Sequence, residues 1–191
     1  AERDMLLYGK DPHKVVRAKD ATFYAPLSWK ETKRIFVCSW SDFFHEDVDP
    51  EWRHDAWNTM LGNSRHTFIV LTKRPQNIVQ MIPSANMGWP ECYQHVWLLV
   101  SAGTNESLAR FWPILQDIPG LAVRGISMEP LLESLEMSFT RLVQGNTVTQ
   151  PRWVIVAGES GPKRRPMPMD AAREVRDWCE MRHVPFFFKG H

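Results

Sequence analysis

The sequence predicts an α/β fold, a partial parallel (β/α) barrel with its first strand missing. Three observations lead there. Six β-rich runs recur along the chain, starting at residues 34, 67, 95, 121, 153 and 184. Most are near-continuously apolar, the pattern of strands covered on both faces, as in a parallel sheet. Their spacing of 26–33 residues matches a strand-plus-helix unit, which averages about 31 residues in a closed eight-unit barrel. Right-handed crossovers make such a sheet parallel. Six strands fit either a partial barrel or a doubly wound open sheet. The opening residues Ala1–Tyr8 read as a helix with no strand before it, which favours a barrel missing its first strand.

Each element has its own justification. The strands are Arg34–Ser39, Thr67–Thr72, His95–Ser101, Leu121–Ser127, Trp153–Ala157 and Val184–Lys189. Between the first two, Pro50-Glu51 starts a helix with Asp49 as N-cap. Pro75-Gln76 starts another behind Arg74. Asn105–Leu115 places Leu108, Phe111, Trp112 and Leu115 on one face. The last helix follows Asp170, read as its N-cap, with Val175, Trp178 and Cys179 inward. Ser84–Gln94 and Gln144–Gln150 read as loops, the second through its Gly145-Asn146 turn signal. No linker or low-complexity segment splits residues 1–191, so the reading is a single barrel-like domain, truncated at its N-terminus.

Composition bounds the function. Over 191 residues, 43% are hydrophobic and 24% charged, an ordinary globular balance. A formal net charge of +1 gives no bulk attraction to nucleic acid or membrane, although a local basic patch remains compatible with it. No apolar run approaches 18 residues, which predicts a cytoplasmic chain with no membrane association. Cys38, Cys92 and Cys179 are too widely spaced for a disulfide framework or a cluster motif; each reads as a buried structural thiol. His45, His54 and His66 have no ligand-like spacing and read as surface residues. Trp52, Trp57, Trp112 and Trp178 read as core.

In parallel α/β folds the site lies at the carboxyl ends of the strands. There the sequence places Ser41-Asp42, Lys73-Arg74, Thr104-Asn105, Glu129, Glu159-Ser160 and Lys189. Lys163-Arg164-Arg165 adds a short basic loop beside them, a candidate phosphate contact. Each has a plain alternative: a helix cap for Thr104 and Asn105, a satisfied carboxylate for Glu129, a solvated pair for Lys73 and Arg74, a tight turn for Glu159. Their co-location is the signal. The usual phosphate-loop and zinc motifs are absent.

Leu71-Thr72-Lys73-Arg74-Pro75, Ser127-Met128-Glu129-Pro130-Leu131-Leu132, Gly158-Glu159-Ser160-Gly161-Pro162, Arg165-Pro166-Met167 and Val184-Pro185-Phe186-Phe187-Phe188-Lys189 occur in this order. Together they resemble a phage- and bacteria-associated family of uncharacterised radical-SAM-like proteins with an N-terminal three-cysteine motif. The likeness runs over nearly the whole chain, but the cysteine motif itself is absent from it; Ala1-Glu2-Arg3 resembles the residues just after that motif. The resemblance implies a partial barrel of the radical SAM type, with the first strand and cluster loop missing and a short strand added at the end. It implies S-adenosylmethionine and a four-iron four-sulfur cluster as cofactors, the cluster ligands lying outside this chain. The implied reaction is reductive cleavage of S-adenosylmethionine, on a substrate that includes nucleic acid or a nucleotide among its candidates.

On that reading Ser41, Asp42, Ser101, Asn105 and Ser160 face the cofactor, Asp42 toward its ammonium group. Glu129, Glu159 and Lys73 are the candidate catalytic residues. Arg74, Arg164, Arg165 and Lys189 are the candidate substrate contacts. Two other readings stand beside it: a cluster-free barrel that binds nucleic acid or a protein partner through Lys73, Arg74 and Lys163–Arg165, and a phosphate-handling enzyme with Glu129 or Glu159 as base.

Overall fold

The computed structural model describes residues 15–39, 41–135 and 150–190. The expectations for Ala1–Tyr8 and for most of Gln144–Gln150 lie outside them. After a short helix, α1 (Asp20–Phe23), come β1 (Arg34–Val37), α2 (Pro50–Leu61), β2 (Thr67–Thr72), α3 (Ile78–Met81), β3 (Val96–Ser101), α4 (Asn105–Gln116), β4 (Arg124–Met128), β5 (Trp153–Ala157), α5 (Met169–Met181) and β6 (Phe186–Gly190). All six strands form one sheet in sequence order, and every neighbouring pair is parallel. The sheet curls into a half-barrel. A doubly wound sheet would have reversed its strand order part-way; this one does not.

The two faces of the sheet carry different cores because side chains alternate along a strand. Phe68 and Val70 of β2, Val96, Leu98 and Val100 of β3, Ile126 and Met128 of β4 and Val154 and Val156 of β5 pack with Trp57 and Met60 of α2, Leu108, Trp112 and Leu115 of α4 and Val175, Trp178 and Cys179 of α5. The helices therefore cover that face. Each fully buried Leu, Ile or Val there contributes about 1.5–3 kcal/mol of transfer free energy. The opposite, concave face has a smaller core of Ile69, Leu99 and Ile155, flanked by Leu71, Trp97 and Trp153.

Gly125 makes the concave core possible. It pairs with Leu99 on one side and Trp153 on the other. A Cβ there would stand 2.7 Å from Leu99 Cγ and 2.9 Å from the Trp153 carbonyl oxygen. The missing side chain leaves room for Leu99, and Trp97 meets Trp153 edge-on with ring centroids 5.7 Å apart.

Local chemistry sets the helix starts. Asp49 accepts a hydrogen bond from Glu51 N at 2.8 Å, with Pro50 opening α2. Thr104 and Ser107 form a reciprocal capping box at α4. The start of α5 differs from expectation: the helix begins at Met169 behind Pro168, and Asp170 lies in its first turn, where its charge still suits the helix dipole. Thr67–Thr72 and Trp153–Ala157 match their expected bounds, and the other four strands differ by up to three residues at an end. The fourth begins at Arg124, whose guanidinium binds the carbonyls of Leu115, Ile118 and Leu121 and so ties the stretch after α4 to the start of the strand. The Ser84–Gln94 loop contains two short 3₁₀ turns.

Candidate functional site at the carboxyl rim

Because the sheet is parallel, Asp42, Lys73, Glu129, Glu159 and Lys189 all follow or close strands at one end. They form a row of separate polar contacts along that rim.

At the β1–β2 side, Asp42 is saturated. Its Oδ1 accepts from Thr72 Oγ1 at 2.7 Å and from Phe44 N at 3.0 Å, and its Oδ2 accepts from Lys73 N at 2.8 Å. Arg74 stands 3.5 Å from the same oxygen and donates through Nε to Glu46 at 3.1 Å. Asn77 donates to Glu46 and to the Phe44 carbonyl. Asp42 is thus a staple between two loops, with both oxygens engaged by Thr72, Phe44 and Lys73. Arg53, buried in α2, holds the same loop through the carbonyls of Phe43, His45 and Val48. Sequence reading missed Glu46 and Arg53, whose partners are distant in sequence or are backbone atoms. Ser41 donates its backbone N–H to Cys38 O.

At the β3 end, Thr104 is a helix cap. Asn105 donates from both its backbone N and its Nδ2 to Glu133 Oε1, at 2.6 and 2.8 Å. This also is a loop-to-loop tie, as at Asp42. The two loops touch so closely that a Cβ on Gly103 would lie 1.8 Å from the Pro130 oxygen. Ser101 differs. It faces the concave side opposite Ser127, is 7% exposed, and its hydroxyl has no side-chain partner among the described residues.

At the β4 and β6 ends, Glu129 Oε2 accepts from Ser127 Oγ at 2.9 Å, and Glu129 Oε1 lies 2.7 Å from Lys189 Nζ. The carboxylate is largely covered, at 19% side-chain exposure, whereas Lys189 is 61% exposed. This polar relay begins on the concave face and reaches solvent.

At the β5 end, Glu159 is bound by Arg165 through three hydrogen bonds of 2.8 Å, from N, Nε and Nη2. That grip lowers its pKa to about 2. The expected partner was Lys73 or Lys189; the actual one is six residues away in the same loop. Ser160, Lys163 and Arg164 are exposed, as is Lys73, and none of the four side chains has a partner among the described residues.

The thiols do not share a site. Cys38 follows β1 with φ 57° and Cys92 precedes β3; both are exposed, which corrects the expectation that all three are buried. Desolvation raises the Cys38 pKa, opposed by a hydrogen bond with Ser41. Cys179 is buried, and burial pushes it up to about 12. His66 is also buried, against expectation, between Lys33 N and the Pro26 carbonyl. Among the described residues no group of three His, Cys, Asp or Glu could hold a metal ion, and no helix is long and apolar enough to cross a membrane. Two shallow surface hollows, about 430 Å³ beside Pro50, Glu51, His54 and Asp55 and about 460 Å³ beside Leu61, Glu91, Cys92 and His95, include none of the rim residues.

Residues 3–191 match the model of a family described as "Protein of unknown function (DUF5131)". No curated protein and no solved structure matches.

Proposed function

The chain belongs to this family of unknown function, and for it we propose the core of a radical SAM-type enzyme that binds S-adenosylmethionine at the carboxyl rim of its half-barrel. The sequence-ordered parallel sheet supports the architecture. The observation that carries the site is the concave group of Ser101, Ser127, Glu129 and Lys189. It offers one concave-face hydroxyl with no side-chain partner among the described residues, one carboxylate with a covered and a solvent-facing side, and one accessible cation. Ser101 suits a ribose hydroxyl. Glu129 and Lys189 suit the zwitterionic methionyl end, since each can exchange part of its mutual contact for a charge-assisted bond to the ligand.

Reductive cleavage of S-adenosylmethionine supplies hydrogen abstraction, chemistry that no side chain here offers. The cysteines described here do not fit a four-iron cluster: they stand at the end of β1, before β3 and inside α5. What this chain's residues do is bind, orient and shield. Ser101 and Glu129 fix the ligand over the apolar floor of Leu99 and Ile155, which excludes water from the reacting end. Glu159, closed onto Arg165, shapes the loop and is a positioning residue.

Calorimetric titration tests this reading. S-adenosylmethionine should bind, and Ser101→Ala and Glu129→Gln should each weaken it. No binding to the folded protein, or binding indifferent to both changes, would remove the cofactor from this rim and leave the barrel as a cluster-free binding module.

A further inference from the structure

Among the described residues, six cations stand along the rim, and three have counter-charges: Arg74 with Asp42 and Glu46, Arg165 with Glu159, Lys189 with Glu129. Lys73, Lys163 and Arg164 have none among the described residues and are exposed. Two of these three sit in one anchored loop. Gly158 N donates to the Gly190 carbonyl at 2.9 Å, which fastens the start of the loop to the end of β6. Arg165 then closes the loop onto Glu159. The segment holding Lys163 and Arg164 is therefore fixed beside β6 and need not be ordered by a ligand.

The neighbouring strand exposes an aromatic face. Phe187 lies opposite Ile155, on the concave side, and is 49% exposed. It is two residues from Lys189 and three from Gly190. Unpaired cations call for an anion, and an open phenyl face calls for a flat apolar surface. An acidic peptide supplies the first and not the second. A duplex supplies phosphates but keeps its bases stacked inside. A single strand supplies both, phosphates for the cations and unstacked bases for the ring.

We propose that the β5–β6 end of the rim binds single-stranded nucleic acid, with phosphates on Lys163 and Arg164 and a base stacked on Phe187. This names the substrate class of the site proposed above and rests on that reading only for the site's being the catalytic one. Lys73, at the β2 end, lies further along the rim and would meet the strand where it leaves.

Fluorescence anisotropy with a labelled 15-residue oligothymidylate tests it on the whole chain, without S-adenosylmethionine. Binding should appear with a dissociation constant of roughly 1–100 μM, and log K should fall with log salt by about 0.7 for each phosphate engaged. Lys163→Gln and Arg164→Gln should each reduce that slope by about 0.7, while Arg182→Gln, the same charge change at the other end of the sheet, should leave it unchanged. Phe187→Ala should weaken binding by about fivefold or more, with circular dichroism confirming an intact fold. Inorganic polyphosphate or the corresponding duplex binding as tightly as the single strand would overturn the proposal, as would full affinity in Lys163→Gln and Phe187→Ala. Because the probe contains no S-adenosylmethionine, its failure leaves the cofactor titration standing, and failure of that titration leaves this measurement standing.

Discussion

Lys189 Nζ lies 2.7 Å from Glu129 Oε1, so the end of β6 is tied to the end of β4 across the intervening β5. The same carboxylate takes the Ser127 hydroxyl on its other oxygen. One acid thus connects a buried concave hydroxyl with an exposed cation.

Glu129→Gln keeps the shape and removes the charge. Because Lys189 is mostly exposed, the ion pair contributes little to folding, about 0–1 kcal/mol, and thermal unfolding should shift only slightly. Ligand affinity should fall by about 1–3 kcal/mol, the scale of a charged hydrogen bond. A large loss of stability with unchanged affinity would make Glu129 a structural residue.

Asp42→Asn should behave in the opposite way. Both oxygens of Asp42 accept, from Thr72, Phe44 and Lys73, and an amide would set a donor against a donor. Chemical denaturation should report a loss of about 1–3 kcal/mol. An unaltered unfolding midpoint would contradict the staple.

Glu159 should titrate well below an ordinary carboxylate. Its folded pKa is lowered to about 2, first by the Arg165 side-chain hydrogen bonds. A depressed folded pKa means that the contribution to stability is present above the unfolded value near 4.3 and disappears as pH falls through the folded value. The loop contact should therefore persist at neutral pH and open between about pH 4 and 2. Carbon-detected NMR of the carboxyl group reads this directly. Arg165→Gln should return the titration toward the ordinary range; an unchanged midpoint would show that another group holds Glu159.

Thiol alkylation should separate the cysteines. Cys179 is buried, with its pKa pushed up to about 12, and should stay unmodified in the native protein, because the thiolate is the reactive form. Exposed Cys92 should react first, and Cys38 more slowly because desolvation raises its pKa. Peptide mass spectrometry after a short iodoacetamide pulse gives the order, and early labelling of Cys179 would contradict the packing of α5.

Gly125→Ala should cost about 1–3 kcal/mol through overpacking. The new methyl would meet Leu99 Cγ at 2.7 Å and the Trp153 carbonyl at 2.9 Å, and Leu99 is itself fully buried. A neutral result in denaturant titration would mean that the concave core can shift.

Strand number, the parallel sheet and the end of the sheet that carries the polar residues were all legible in the sequence. Near-continuous runs such as Thr67–Thr72 and Trp153–Ala157 can be satisfied only by burial on both faces, and the helical spacing of Leu108, Trp112 and Leu115 requires a sheet to pack against. Asp49 as N-cap follows from contacts within a few residues, so it too was readable. Which polar side chains are spent on the fold and which remain open was decided by tertiary structure alone. Asp42 meets Thr72 30 residues away, and Asn105 meets Glu133 28 residues away. Neither pairing leaves a local signature, because hydrogen bonds between loops depend on how adjacent strands align. His66, polar and unremarkable in sequence, is buried because two backbone groups happen to reach it. The residue types that promise chemistry are also those that fasten loops together, and only the tertiary structure distinguishes Asp42, engaged by Thr72, Phe44 and Lys73, from Ser101, whose hydroxyl meets no side-chain partner among the described residues.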